Sequence, residues 1–388
     1  MFSKHLSTAL VSLATISSVY GAVAPKRRAT CAGGQSVANE ACCAWFPVLE
    51  DIVPNLFDNE CGDDSRVHAD GALRLSFHDA VGFSRSSGMG GGADGSIITF
   101  QDAELQFPAN AGLDDPIDAE TPFIAKHNVT PGDFIQFAAA VSLSLCPGAP
   151  KVGFMMGRPN PTAPSPAPGK ANPSSIPNAS LTGVTSTLDG LVPEPFDSVD
   201  KILARMADAG GFSPTDVVAL LASHSVAGAD TIDPTIPGTP FDSTPSVFDT
   251  QLFIEVQLRG TLFPGSQPGQ GEVMSAVAGE MRLQSDALIA RDPQTNCAWQ
   301  SFAGDLPAVQ SAFAKAFNVM SIIGHNPSDL IDCSDVIPGA PPLPVNAAAH
   351  LPAGQTQNDI EQACAVSAFP TFTAQPGPAT TVPAIPQS

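Results

Sequence analysis

Arg74-Leu75-Ser76-Phe77-His78-Asp79 and Val217-Val218-Ala219-Leu220-Leu221-Ala222-Ser223-His224-Ser225 are the two stretches on which the reading of this chain turns. In the first, Arg74 and His78 stand four residues apart, so a helix sets both on one face. A cationic pair at that spacing is mildly unfavourable on a solvated helix, and Leu73 and Phe77 place the segment in a core. A buried histidine beside a permanently charged arginine is costly unless something polar or anionic is held between them. In the second stretch Val217, Leu220, Leu221 and His224 share one helical face, which points His224 inward. Taken singly, Arg74 and His78 read more readily as a partly exposed structural pair, and His224 as a hydrogen-bonded core residue. Two of them on the interior faces of separate helices are better explained by a shared cofactor, one binding its metal and the other working opposite.

Around these stretches the pattern is helical. Apolar residues recur at helical spacing over 42–57 (Trp45, Val48, Leu49, Ile52, Val53, Leu56), and further helices are expected over 70–80, 131–145, 197–208 and 213–226. Thr130-Pro131 opens the 131–145 helix. Ser213, Pro214 and Asp216 supply an N-cap, a first-turn proline and a box-like start for the last. Glycines punctuate 82–95, which reads as a loop. Alternating strand patterns are scarce, so the fold is expected to be mainly α. Residues 159–188 carry seven prolines and read as an extended surface insertion, and the Pro/Thr/Ala-rich tail from Phe369 onward should wrap the surface without regular structure.

Composition bounds the class. The 388 residues are 43% hydrophobic and 14% charged, which excludes a disordered chain and allows a sizeable core. A net charge of −21 argues against nucleic acid or an anionic membrane as partner. Residues 1–22 read as a secretory signal and 23–28 as a short propeptide ending in Lys26, Arg27 and Arg28. Eight cysteines follow: Cys31, Cys42, Cys43, Cys61, Cys146, Cys297, Cys333 and Cys364. An even count in a secreted chain implies disulfides, and eight cysteines allow 105 pairings, which spacing alone leaves open. Zinc is disfavoured because no C-x-x-C spacing occurs. Asn178-Ala179-Ser180 and, less clearly, Asn128-Val129-Thr130 are glycosylation sequences.

Arg74…Phe77-His78-Asp79, then Gly90-Gly91-Gly92-Ala93-Asp94-Gly95-Ser96, then Leu221-Ala222-Ser223-His224-Ser225, resembles the secreted fungal class II haem peroxidases, the family of manganese, lignin and versatile peroxidases. The resemblance runs from Cys31 to about Pro378 and includes 240–249, 282–293 and 331–338. It implies a two-lobed helical fold with haem b between a distal lobe (29–158) and a proximal lobe (189–368), the insertion (159–188) between them and the tail (369–388) after. His224 would be the axial ligand of the haem iron and Asp286 would accept its other ring N–H. His78 would move the proton of hydrogen peroxide, Arg74 would stabilise the charge that develops as the O–O bond breaks, Asn110 would hold the His78 tautomer, and Glu104 would stand behind it. Phe77 and Phe248 would pack on the cofactor.

The same matching implies two Ca²⁺ ions. Asp79, Gly92, Asp94 and Ser96 would hold a distal one, and Ser225, Asp242, Thr244, Val247 and Asp249 a proximal one, partly through carbonyl oxygens. The implied disulfides are Cys31–Cys43, Cys42–Cys333, Cys61–Cys146 and Cys297–Cys364. The resemblance breaks where electrons would enter. The family's exposed catalytic tryptophan is replaced by Ala219, and the two tryptophans, Trp45 and Trp299, flank cysteines and read as core. Of the three carboxylates expected for Mn²⁺, Asp230 is present while Val67 and Gly71 replace the glutamates. The 61–74 segment is lengthened, and its Asp63, Asp64 or Asp70 either substitute for them or form a solvated acidic turn.

The expectation is a secreted, monomeric, calcium-stabilised peroxidase. It would use hydrogen peroxide to oxidise Mn²⁺, or small phenols and dyes without a working Mn²⁺ site. A secreted calcium-binding protein with a vestigial pocket is the reading from another class, and a metallohydrolase is disfavoured for want of an H-E-x-x-H motif.

Overall fold

The computed structural model describes residues 28–61, 69–165, 190–345 and 347–385. The signal and propeptide readings, the Asn178 sequence, most of the Pro-rich insertion, Asp63 and Asp64, and the side chain of Asp70 lie outside these residues.

The helix that organises the N-terminal half is Pro131–Leu145. Thr130 caps it by accepting a hydrogen bond from Asp133 N at 3.3 Å, with Pro131 in the first turn. Every residue from Gly132 to Ser144 is buried, the signature of a helix surrounded by its own protein. The Ala69–Val81 helix, which carries Arg74 and His78, packs along it, with Gln136 Nε2 donating to Ser76 O at 3.3 Å. Trp45 of the Trp45–Asn55 helix closes this core against Phe137 and Phe154, with ring centroids 4.6 and 4.7 Å away. As expected for core residues, Trp45 and Trp299 are 2% and 0% exposed, and Trp299 Nε1 donates to Phe253 O at 3.0 Å.

In the C-terminal half, Val199–Gly210 starts at Ser198, whose hydroxyl accepts from Lys201 N, and ends where Gly211 turns left-handed at φ 76°. Ser213 and Asp216 form the expected capping box ahead of Pro214–Leu220. The helix expected to run unbroken to 226 does not do so: after Leu220 it tightens into a 3-10 turn, Leu221–Val226, which carries His224. Ser223 Oγ donates to Leu220 O at 2.9 Å, a local side-chain bond that competes with the α-helical ladder.

Two long helices were not anticipated. Asp114–His127 contains prolines at 116 and 122, which mask its stripe of Leu113, Ile117 and Ile124. Leu306–Met320, capped by Asp305, buries Val309, Phe313, Ala316, Phe317 and Met320 on a regular stripe that a longer scan of the periodicity would have found. Strands are two-residue pairs only among the described residues. One matters for the site: Glu272 and Val273 pair antiparallel with Leu283 and Arg282, immediately before the Gln284–Ile289 helix that bears Asp286.

Four disulfides join Cys31–Cys43, Cys42–Cys333, Cys61–Cys146 and Cys297–Cys364. The second spans 291 residues and ties the N-terminal segment to the far end of the fold. The tail from Phe369 has no helix or strand through residue 385, and is anchored by bridges at Ala374 and Thr381 and by buried Val382 and Ile385. No helix among the described residues is long and apolar enough to cross a membrane.

Candidate active site

Between the Ala69–Val81 helix and the Leu221–Val226 turn lies a cavity of about 440 Å³, whose walls include Arg74, Phe77, His78, His224, Phe241 and Phe313. Its size is that of a cofactor or ligand pocket, and its walls are mostly apolar.

On one wall His78 Nδ1 lies 2.8 Å from Asn110 Oδ1, and Asn110 Nδ2 donates to the backbone carbonyl of Glu104 at 2.9 Å. The amide is oriented by that second bond, so its oxygen faces the imidazole and the His78 proton sits on Nδ1. The lone pair is therefore on Nε2. Burial, with the Arg74 charge adding to it, pushes the His78 pKa down to about 3, so the ring is neutral. Arg74 Nη2 donates to Ala109 O and Ala111 O at 3.0 and 2.9 Å, which fixes the guanidinium at the cavity wall. Glu104 acts on Asn110 through its main chain. Its carboxylate instead accepts from Ser165 N at 2.7 Å, and burial raises its pKa to about 7.

On the other side His224 Nδ1 lies 2.8 Å from Asp286 Oδ2, and Asp286 is 1% exposed. Burial alone would lower the His224 pKa, but the charge and hydrogen bond of Asp286 together outweigh it and the net shift is upward. The ring rests against Phe241, with centroids 5.1 Å apart. With Nδ1 engaged, Nε2 has no partner among the described residues, and the 24% exposure of this side chain is exposure to the cavity. An apolar slot walled by a free imidazole nitrogen fits a planar metal-bearing cofactor. Phe77 lines it as expected. Phe248 does not: it is fully buried behind Phe313, packed edge-on at 5.2 Å, and Phe313 is the ring that reaches the cavity.

Two buried acid clusters flank the histidines. Asp79 accepts from Gly95 N at 3.1 and 2.9 Å, and Asp94 Oδ1 accepts from Ser96 N at 3.0 Å. Gly92 has φ +81°, and a Cβ there would fall 2.1 Å from Ile323 O, so only glycine fits. Beside Ser225, Asp242 Oδ1 accepts from Thr244 N while Oδ2 is buried with no partner; Asp249 Oδ1 accepts from Gln251 N, and Val247 O accepts from Ser225 Oγ. Burial lifts all four carboxyls, Asp79 and Asp242 well above the usual range and Asp249 to about 7. Among the described residues no three His, Cys, Asp or Glu side chains converge on one point. A cation at either cluster therefore draws on hydroxyl and carbonyl oxygens as well, which suits a hard ion.

Asp230 is exposed on the cavity rim, where Oδ1 accepts from Gly238 N at 2.9 Å. Gly71 lines the same cavity with no side chain to offer. The structure adds Asp115, a rim carboxylate missed in the sequence. Its pKa is raised by partial burial first and then by the negative charges of Asp114, Asp230 and Asp118. Nothing in its local sequence marks it, because its relation to Asp230 is purely tertiary.

Helices closing on a pocket in which one imidazole, kept neutral by burial, is oriented by an amide and a second is polarised by a carboxylate describe a haem-dependent oxidoreductase. Comparison with known proteins narrows this. Residues 49–305 match the Peroxidase family and residues 308–387 the Fungal peroxidase extension region. The chain is 52% identical to versatile peroxidase VPS1 of Pleurotus eryngii, covering 93% of this chain and 92% of the relative. It is 52% identical to manganese peroxidase 3 of Phlebia radiata over 100% of both chains, and 48% identical to ligninase LG6 of Phanerodontia chrysosporium over 98% of each. The chain belongs to the peroxidase family, and is a hydrogen-peroxide-dependent oxidoreductase whose family implies haem.

Proposed function

We propose that this is a secreted, monomeric haem peroxidase that uses hydrogen peroxide to oxidise small phenols at the cavity mouth and Mn²⁺ at the Asp230 rim. One observation carries the reading: two histidines face one pocket with Nδ1 engaged, His78 by the Asn110 amide oxygen and His224 by the Asp286 carboxylate, and burial keeps the first neutral while the carboxylate raises the pKa of the second. In this reading His224 Nε2 would hold the iron, and Asp286, accepting a hydrogen bond from Nδ1, would make that nitrogen a stronger donor. Haem, when bound, supplies the redox chemistry that accepts two oxidising equivalents from peroxide and passes them on singly.

His78 Nε2, unprotonated because Nδ1 carries the proton, removes a proton from peroxide and returns it to the departing oxygen, which leaves as water. Arg74 stabilises the negative charge on that oxygen in an apolar cavity where the attraction is little screened. Two reductants each lose one electron, and with two protons, from the phenols or from solvent when Mn²⁺ is oxidised, one peroxide yields two waters and two oxidised products. Asp79, Gly92, Asp94 and Ser96 would hold one Ca²⁺, and Ser225, Asp242, Thr244, Val247 and Asp249 another; the unpartnered Asp242 Oδ2 supports the second. Asp79 follows His78 and Ser225 follows His224, so each ion would brace one histidine.

Mn²⁺ is favoured as a second reductant by Asp115, which stands close enough to Asp230 for the two charges to interact. Buried Trp45 and Trp299 and the alanine at 219 speak against oxidation of bulky aromatics at a surface tryptophan. The test is a peroxide-driven assay comparing Mn²⁺, a simple phenol and a bulky non-phenolic aromatic. Turnover of the first two alone is expected; failure with both, or robust oxidation of the third, overturns the assignment.

A further inference from the structure

Behind the proximal histidine lie two glutamates that the reaction does not use. Glu255 and Glu280 are both 0% exposed and are in hydrogen-bonding contact with each other. Glu255 receives three donors: Ser243 N gives to Oε2 at 2.7 Å, and Ser243 Oγ and Gln251 Nε2 give to Oε1 at 2.6 and 2.9 Å. That is the environment of an ionised carboxylate. Glu280 receives one donor, Ser275 Oγ at 2.9 Å on Oε1, while Oε2 meets no donor among the described residues. Two carboxyl groups cannot touch in a buried site with both ionised, and here Glu280, with fewer donors than Glu255, is the better placed to carry the proton.

We propose that Glu280 and Glu255 form a carboxylic acid–carboxylate pair sharing one proton, and that this pair is a positioning device for the Asp286–His224 contact.

The link to Asp286 is short. Arg282 Nη2 donates to Glu255 O at 2.7 Å and Nη1 to Leu258 O at 2.8 Å, and Asp286 lies four residues on, in the first turn of the helix that follows this strand. Met281 N donates to Pro240 O at 2.9 Å, beside the Phe241 ring on which His224 rests. The 280–282 segment thus ties the carboxylate and the ring that together orient His224. The charge count is balanced only with one proton present. Arg282 offsets Glu255, and a second negative charge on Glu280 would find only Arg291, itself paired with Glu361, beyond Arg282. The proton therefore keeps the segment in place. Its loss puts two like charges in contact and drives the segment outward.

The proposal rests on the reading of His224 and Asp286 as the proximal pair, so one measurement is kept independent of activity. In the wild-type holoenzyme at neutral pH, infrared spectroscopy should show a protonated-carboxyl band that disappears in Glu280→Gln and shifts in Glu255→Gln. Glu280→Ala should lower peroxide turnover about tenfold, the scale of a displaced catalytic group, and Glu280→Gln, which still donates a hydrogen bond, should recover most of it. The glutamine variant should also hold its rate to higher pH than the wild type, because it has no proton to lose. A wild-type band that is unchanged in both glutamine variants overturns the shared proton. Alanine and glutamine variants with the same rate and the same pH profile overturn the positioning role, whether or not the peroxidase reading stands.

Discussion

Replacing Glu120 by leucine should stabilise the protein, and by more at higher pH. Glu120 lies on the Asp114–His127 helix on the face of Leu113 and Ile117, which pack with Leu75, Ile97 and Ile135 in a small apolar core. It is 0% exposed, and neither carboxyl oxygen has a partner among the described residues. Burial above all, with the negative charge of Asp79 added, holds its pKa well above the ordinary 4.5. An unpaired buried polar group costs roughly 1–3 kcal/mol even when neutral, and leucine removes that cost. The direction of the pH dependence is set by the raised pKa. The folded state keeps its proton where the unfolded chain releases it, so wild-type stability is intact below about pH 4.5 and falls as pH rises toward the folded pKa. Between about pH 4.5 and about pH 6.5 one retained proton is worth about 2.3 kcal/mol by linkage. The advantage of Glu120→Leu should therefore be about 1–3 kcal/mol at the lower pH and up to about 2.3 kcal/mol larger at the higher. Urea unfolding of the calcium-loaded, disulfide-intact enzyme at both values measures this. An advantage that does not grow with pH, or a less stable variant, refutes the reasoning.

The same structure sets four more outcomes. Asn110→Ala removes the acceptor that keeps the His78 proton on Nδ1, and should slow the single-turnover reaction with peroxide by about 10²-fold while leaving the oxidation of reductant less affected. Asp286→Asn exchanges a charged acceptor for a neutral amide, and should shift the ferric–ferrous potential upward, read by spectroelectrochemistry. Asp230→Ala should cut kcat/KM for Mn²⁺ at least about tenfold and leave phenol turnover unaltered; equal effects on both would remove Asp230 from the Mn²⁺ route. Adding Ca²⁺ back to calcium-depleted enzyme should raise Tm more at neutral than at acid pH, because below about 7 protons on Asp249 compete with the ion; a pH-independent gain contradicts that site.

Much of the site was legible in one dimension, for a physical reason. Helix periodicity and capping act over three or four residues, so the His78 and His224 faces and the Ser213–Asp216 box are properties of the local chain. What the resemblance implied for Asn110 and Asp286 lay beyond such reasoning, since 32 and 62 residues separate them from the histidines they bond. The helix over 114–127 was hidden because its prolines are local signals against it, and burial on one stripe overrides them.

By itself the chain determined the identity of the chemical groups and the short-range geometry that presents them, because rotamers, caps and turns are decided by near neighbours. Tertiary structure decided which groups share a dielectric. It moved Phe248 behind Phe313, turned the Glu104 carboxylate away to Ser165, set Asp115 beside Asp230, left Glu120 alone in an apolar core and pressed Glu280 against Glu255. Desolvation and charge coupling depend on everything within several ångströms in space, and no spacing along the chain records that distance.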